Sequence, residues 1–325
     1  LVVLMAVYIA GCSSTPTKKP SSRGGFGGIF TSSKPQKAQH TDADYELDYS
    51  FFKEKGLPIP DNFKGKSVEY LVPGNDVLKE HGYSFFKKYN EKEMLKFFKD
   101  TTITGYGSNS NYWRWKITFT EKELMNSAAR NLPMVYKVRP RDVMTLSNGE
   151  WKSLPITAAT VGEVKNVEVA ARGRSGVITY LLVTTNKNKF LVSKELNVRK
   201  LLTADKNSTK TNRTISLYGT KGGTESYNLK ALRNNITLLP SAYFAIEKSS
   251  GNITLYGGGN GHGVGMPQWT AYDLTKNYNY SYKDVLKRYY PNTDIKNMYS
   301  MKGVDKNIRV GISNSNGGLD HTRVA

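Results

Sequence analysis

Hydrophobic and polar positions alternate most regularly over residues 112–119, Tyr-Trp-Arg-Trp-Lys-Ile-Thr-Phe. A period of two marks a strand with one buried face. At Thr120-Glu-Lys-Glu123 the pattern changes to a hydroxyl followed three residues later by a carboxylate, the capping-box signal of a helix start. The strand is therefore expected to run straight into a helix. Further apolar runs predict strands over 163–170 and 177–184, joined by the turn Arg172-Gly-Arg-Ser-Gly176, and over 214–218 and 227–233. Helical spacing covers 79–98, where Met94, Leu95, Phe97 and Phe98 form an apolar face behind a cap pair of Asn90 and Glu93. A last helix is expected over 281–290, burying Tyr282, Val285, Leu286 and Tyr289 by their i, i+3, i+4, i+7 spacing. Mixed helices and antiparallel strand pairs predict an α+β, strand-rich domain over residues 48–300, with a tail at 301–325.

The amino-terminal stretch is patterned differently. Residues 1–10 are all apolar and end at Gly11-Cys12, a run too short to span a bilayer and of the length of an export signal's apolar core. No Lys or Arg precedes it and position 1 is not Met, so a few further residues are expected upstream. Ile9-Ala10-Gly11-Cys12 resembles the bacterial lipobox, which implies a signal peptide over 1–11 and lipidation of Cys12. That thiol is the single cysteine of the chain, so no disulfide or cysteine-based metal site competes for it. Residues 12–47 are rich in Ser, Thr, Pro, Lys and Gly and read as a flexible tether.

The densest chemistry lies late in the chain. Six glycines between Gly257 and Gly265 frame His262, and Gln268, Trp269 and Tyr272 follow. Glycine permits tight turns and close approach of backbone to a ligand. One imidazole, one amide and two aromatic rings on such a loop are suited to a carbohydrate or peptide cleft, with ring faces for stacking and polar edges for hydroxyls.

Asn260-Gly-His262-Gly-Val-Gly265-Met266-Pro267-Gln268-Trp269-Thr270-Ala271, followed by a helix ending Tyr289-Tyr290-Pro291, resembles the signature of the stage II sporulation protein D and amidase enhancer (SpoIID/LytB) family of cell-wall proteins. Pro267 stands where that family has serine, and Thr270 where it has glycine. The resemblance extends over about residues 90–297, including Asn111-Tyr-Trp-Arg-Trp115, the run through Arg174-Ser-Gly-Val177, and Leu239-Pro-Ser241-Ala-Tyr-Phe244. It implies a glycan-binding cleft made by His262, Gly263, Gly265, Gln268, Trp269 and Tyr272, with peptidoglycan glycan strands as ligand and a cell-wall amidase as a further partner. It also implies, for the family's lytic transglycosylases, a catalytic glutamate in an early Glu-Met helix followed by Ala-Val-Ala-Ala-Arg-Thr-Tyr. No segment here carries those motifs, so the general acid has no counterpart. Cleavage of a glycosidic bond needs such a carboxyl. Three readings stay open: a lipid-anchored glycan binder or enhancer, an active transglycosylase using Glu46, Glu54, Glu69 or Glu93, and a basic envelope scaffold.

Composition narrows the field. With 325 residues, 38% hydrophobic, and a mean hydropathy of −0.51, the chain can build a globular core. Its net charge of +20 points to an acidic partner: nucleic acid, an anionic membrane surface or an anionic envelope polymer. No helix-turn-helix, zinc-finger or RNA-binding motif supports nucleic acid, and no P-loop, Gly-Xaa-Gly-Xaa-Xaa-Gly or His-Glu-Xaa-Xaa-His run is present. His40, His81, His262 and His321 have no metal-ligand spacing. Neither a cofactor nor a metal is expected, and export with lipid anchoring at the bacterial envelope is.

Overall fold

The computed structural model describes residues 49–60, 76, 90–173, 175–263, 265–291 and 293–303, together with the backbone of 308–313 and 319–324. The signal, Cys12, the tether, His40, His81, Glu46 and Glu69 lie outside the described residues. The described residues fall into two compact units that divide between 293 and 294. In the second, strands 308–313 and 319–324 pair as an antiparallel hairpin.

The larger unit opens with α1 (Ser50–Glu54) and α2 (Glu91–Lys99), then β1 (Arg114–Thr120) leads without a break into α3 (Glu121–Val138). Thr120 Oγ1 accepts the Glu123 amide and the Glu123 carboxylate accepts the Thr120 amide, the expected capping box. Next come β2 (Val143–Ser147), β3 (Glu150–Lys152), α4 (Ala158–Val161), β4 (Val164–Arg172), β5 (Ile178–Thr185) and β6 (Lys189–Ser193). They form an antiparallel sheet of order β3-β2-β6-β5-β4. After α5 (Glu195–Leu201) and α6 (Lys206–Thr209), strands β7 (Ser216–Thr220), β8 (Arg233–Asn234), β9 (Phe244–Ser249) and β10 (Asn252–Gly257) join β1 in a second sheet, β8-β7-β1-β10-β9. Helices α7 (Gln268–Asn277) and α8 (Tyr282–Tyr289) complete the unit. The α+β class follows from this order.

Both sheets and α3 share one core. Trp115, Ile117 and Phe119 of β1 meet Leu124, Ala128 and Leu132 of α3 and the inner faces of β4, β5 and β6. Strand β5 reads as a near-continuous apolar run because both of its faces are buried: Leu181 and Val183 point to this core, while Tyr180 and Leu182 pack with Phe52 of α1.

Several expectations are corrected. Residues 227–232 form no strand, and only Arg233 with Asn234 pairs with β7. Asn90 caps α2 through the Lys92 amide (2.9 Å) without a reciprocal bond from Glu93. On α8 Val285 is buried and Leu286 and Tyr289 are half-buried, but Tyr282 is 59% exposed. It occupies the first turn of the helix, just after the Ser281 cap. Strands β2, β3, β6, β9 and β10 are not among the elements expected from the sequence, although β10 alternates, with Ile253 and Leu255 buried.

Candidate functional site

The glycine loop leaves β10 and folds back on the start of β1. Gly259 donates its N–H to the Tyr112 carbonyl (2.7 Å) and its own carbonyl accepts Trp115 Nε1 (3.1 Å). Gly257 must lack a side chain, since a Cβ there would lie 2.3 Å from the Trp115 ring. From the other side, Pro240 accepts the Gly261 amide (2.9 Å) and Ser241 Oγ donates to the Gly258 carbonyl (2.8 Å). The Leu-Pro-Ser run is thus a buckle for the loop, although the β9–β10 hairpin separates the two in sequence.

Beyond the loop, Tyr290 Oη accepts the Met266 amide at 3.0 Å. Gly265 lies at φ +84°, and a Cβ there would sit 2.8 Å from that hydroxyl. Tyr289 donates to Asp76 (3.0 Å), which also pairs with Arg288 (3.0 Å). The two adjacent tyrosines therefore have separate structural tasks. Pro267 is the N-cap of α7 and makes no side-chain cap, so the hydroxyl that a serine would supply there is missing. Thr270 is accommodated because Gly107, at φ +81°, faces it without a side chain; a Cβ on Gly107 would be 2.8 Å from Thr270 Oγ1. Asp273, buried on the same helix, accepts the Gly107 amide (2.8 Å) and holds the two segments together.

These contacts outline a cleft of about 630 Å³. His262, Gly263, Gly265, Gln268 and Trp269 line it; Tyr272 stands outside the lining, its ring meeting Trp269 edge-on at 5.9 Å. Trp269 is 55% exposed and His262 and Gln268 are exposed. Also lining it are Tyr112, Trp113, Arg114 and Tyr243, which the sequence reading placed in the family-like runs but did not assign to the cleft. Arg114 is buried, its guanidinium 4.4 Å from the Phe97 ring centroid and Nη1 donating to the Trp113 carbonyl (3.0 Å). Burial pushes the Tyr243 hydroxyl above its ordinary range, opposed by the nearby Arg114 and Arg172. It is a neutral phenol at physiological pH. Within β1, Trp115 points to the core and Arg114 to the opposite face of the sheet, while Tyr112 and Trp113 precede the strand.

Asp76 is the sole carboxylate of this lining among the described residues. Its oxygens are engaged by Arg288 and Tyr289. Glu54 is exposed on α1, which packs on the other sheet, and Glu93 is exposed on α2; neither enters the cleft. Glu225 is exposed. A cleft with stacking rings, amide and imidazole edges and a buried cation can bind a polar polymer. Its described residues do not place a carboxyl to protonate a leaving oxygen.

A second, more open groove of about 880 Å³ runs along the start of α3, between Thr120 and Lys165, and contains none of the predicted site residues. Among the described residues no group of three His, Cys, Asp or Glu side chains could hold a metal, and no described helix is long and apolar enough to cross a membrane.

No family model matches the chain. Part of it is 36% identical over 90 residues to the amidase enhancer of Bacillus subtilis (strain 168), covering 24% of this chain and 13% of that protein. Another 79-residue match, 40% identical, is to an uncharacterized protein of Brachyspira hyodysenteriae and covers 21% of each. The matched stretches thus span about a fifth or less of these relatives, and a partial, distant similarity to an amidase enhancer is what the comparisons establish.

Proposed function

We propose that this chain is a SpoIID/LytB-like envelope protein that holds a peptidoglycan glycan strand in the glycine-loop cleft and assists a cell-wall amidase. The observation that carries the reading is the exposed indole of Trp269 beside His262 and Gln268, set across the cleft from Tyr112 and Trp113 with Asp76 already engaged. Sugars offer a hydrophobic ring face to an indole and hydroxyls to amide and imidazole edges. Similarity to a protein named for enhancing an amidase supports the partner. Binding and presenting a strand requires no proton donor, which accords with the carboxylates of the described residues.

Co-sedimentation with purified sacculi tests this. The chain pellets with them, releases no muropeptides alone, and raises release by an added wall amidase. Muropeptide release by the chain itself would make it a transglycosylase, and absence from the pellet would leave a basic scaffold. Anchoring through Cys12 is part of the proposal and rests on Ile9-Ala-Gly-Cys12. In cells, Cys12→Ala then accumulates as unprocessed precursor; a variant that matures and fractionates like wild type removes the lipoprotein assignment.

A further inference from the structure

Helix α3 ends in a surface unlike the rest of the basic exterior. Met134 and Val138, one turn apart, are 57% and 68% exposed. Lys137, Arg139 and Arg141 stand around them, all exposed, and among the described residues none of the three enters an ion pair. No Asp or Glu occurs between Leu124 and Arg141. Ser153 donates to the Pro140 carbonyl (2.6 Å), which brings Leu154, 37% exposed, to the same edge. Of the acidic groups nearby, Glu150 is paired with Lys152 (2.8 Å), and Asp142, which follows Arg141, is half-buried and accepts from Asn197 (3.4 Å).

Single exposed apolar residues are ordinary. Three of them inside a ring of uncompensated cations have a narrower use. The core of a protein interface is built on aromatic anchors with Met and Arg and is poor in Lys, whereas none of these six residues is aromatic and Lys137 is among them; a soluble polyanion needs cations but gains nothing from protruding methyl and thioether groups. An anionic bilayer rewards both, because headgroups attract Lys and Arg while apolar tips enter the boundary below them.

We infer that the carboxy-terminal end of α3, with Met134, Val138 and Leu154 at its centre and Lys137, Arg139 and Arg141 around them, docks on an anionic phospholipid surface. This face lies outside the glycine-loop cleft and its success or failure is independent of glycan binding.

The test uses the full, non-lipidated chain and vesicles of phosphatidylcholine alone or with phosphatidylglycerol. The quantity measured is the ratio of partition onto anionic over zwitterionic vesicles, in which any contribution of the apolar residues 1–10 cancels. Each cation near an anionic surface contributes a factor of about five, so Lys137→Glu/Arg139→Glu/Arg141→Glu lowers the ratio about a hundredfold or more. A control with equal charge change, Lys221→Glu/Lys230→Glu/Arg233→Glu, retains most of it. Met134→Ser/Val138→Ser lowers anionic-vesicle binding severalfold while leaving retention by soluble polyphosphate unchanged. A wild-type ratio near one, equal losses in control and patch variants, or no effect of the serine pair would each overturn the inference. Should the triple variant melt early, Arg141→Glu and the salt dependence of the wild-type ratio decide the same point.

Discussion

The hydroxyl of Tyr290 accepts the backbone amide of Met266 at 3.0 Å, so the end of α8 holds the exit of a loop 24 residues earlier. Tyr290→Phe removes that acceptor, costing about 1 kcal/mol. Because Met266 immediately precedes the start of α7, the expected outcome is weaker retention on sacculi with a melting temperature lowered by only a few degrees. Gly265→Ala places a methyl against the same hydroxyl at a left-handed φ and is expected to be the more damaging of the two, read by the same paired assay.

Trp269→Ala removes the exposed ring of the cleft rim. With aromatic contacts worth about 0.5–1.5 kcal/mol beyond area, sacculus affinity falls roughly twofold to tenfold while thermal stability is unchanged. Equal binding by wild type and variant would take the indole out of the site.

His262 is exposed, and His262→Ala is expected to alter stability by less than about 0.5 kcal/mol, the range of ordinary surface changes. A loss of wall binding or of amidase stimulation at unchanged melting temperature assigns the imidazole to the site. A loss that tracks unfolding would make it part of the loop's structure.

Arg172 fastens three segments of the unit that are distant in sequence. Its side chain is buried, makes two 2.7 Å bonds to Glu91, and also donates to the Gly176 and Phe244 carbonyls (both 2.8 Å). Arg172→Met strands those carbonyls and is expected to cost about 3–5 kcal/mol in chemical denaturation. Glu91→Gln, at a half-exposed partner, costs about 1 kcal/mol.

Acid stability should depend on Glu123. Burial pushes its carboxyl up, but the hydrogen bonds from Arg213 and the Thr120 amide outweigh burial and hold it below the ordinary carboxylate range. A folded-state pKa below the unfolded one stabilises fully above the unfolded value, about 4.3, and loses that contribution as pH falls through the folded value. Wild type is therefore expected to lose melting temperature more steeply below about pH 4 than Glu123→Gln, which is less stable at pH 7 but flatter in acid. Parallel acid limbs for the two proteins would contradict this.

The strand-to-helix unit of β1 and α3, the β4–β5 hairpin, the capped α8 and the glycine loop were all legible in the amino-acid order. Each is written in a local code: a period of two, a hydroxyl three residues before a carboxylate, a turn of glycines. One wall of the cleft was legible for the same reason, because His262, Gln268 and Trp269 sit within eight residues. Only the tertiary structure brought Tyr112, Trp113 and Tyr243 opposite them, tied Tyr290 to Met266, joined Arg172 to Glu91 across 81 positions, and exposed Tyr282 on a helix whose spacing had promised burial. Those partnerships join groups far apart along the chain, and neither residue carries a mark of the other. Periodicity says which side of an element is apolar, while the neighbours that arrive from elsewhere decide whether that side is covered.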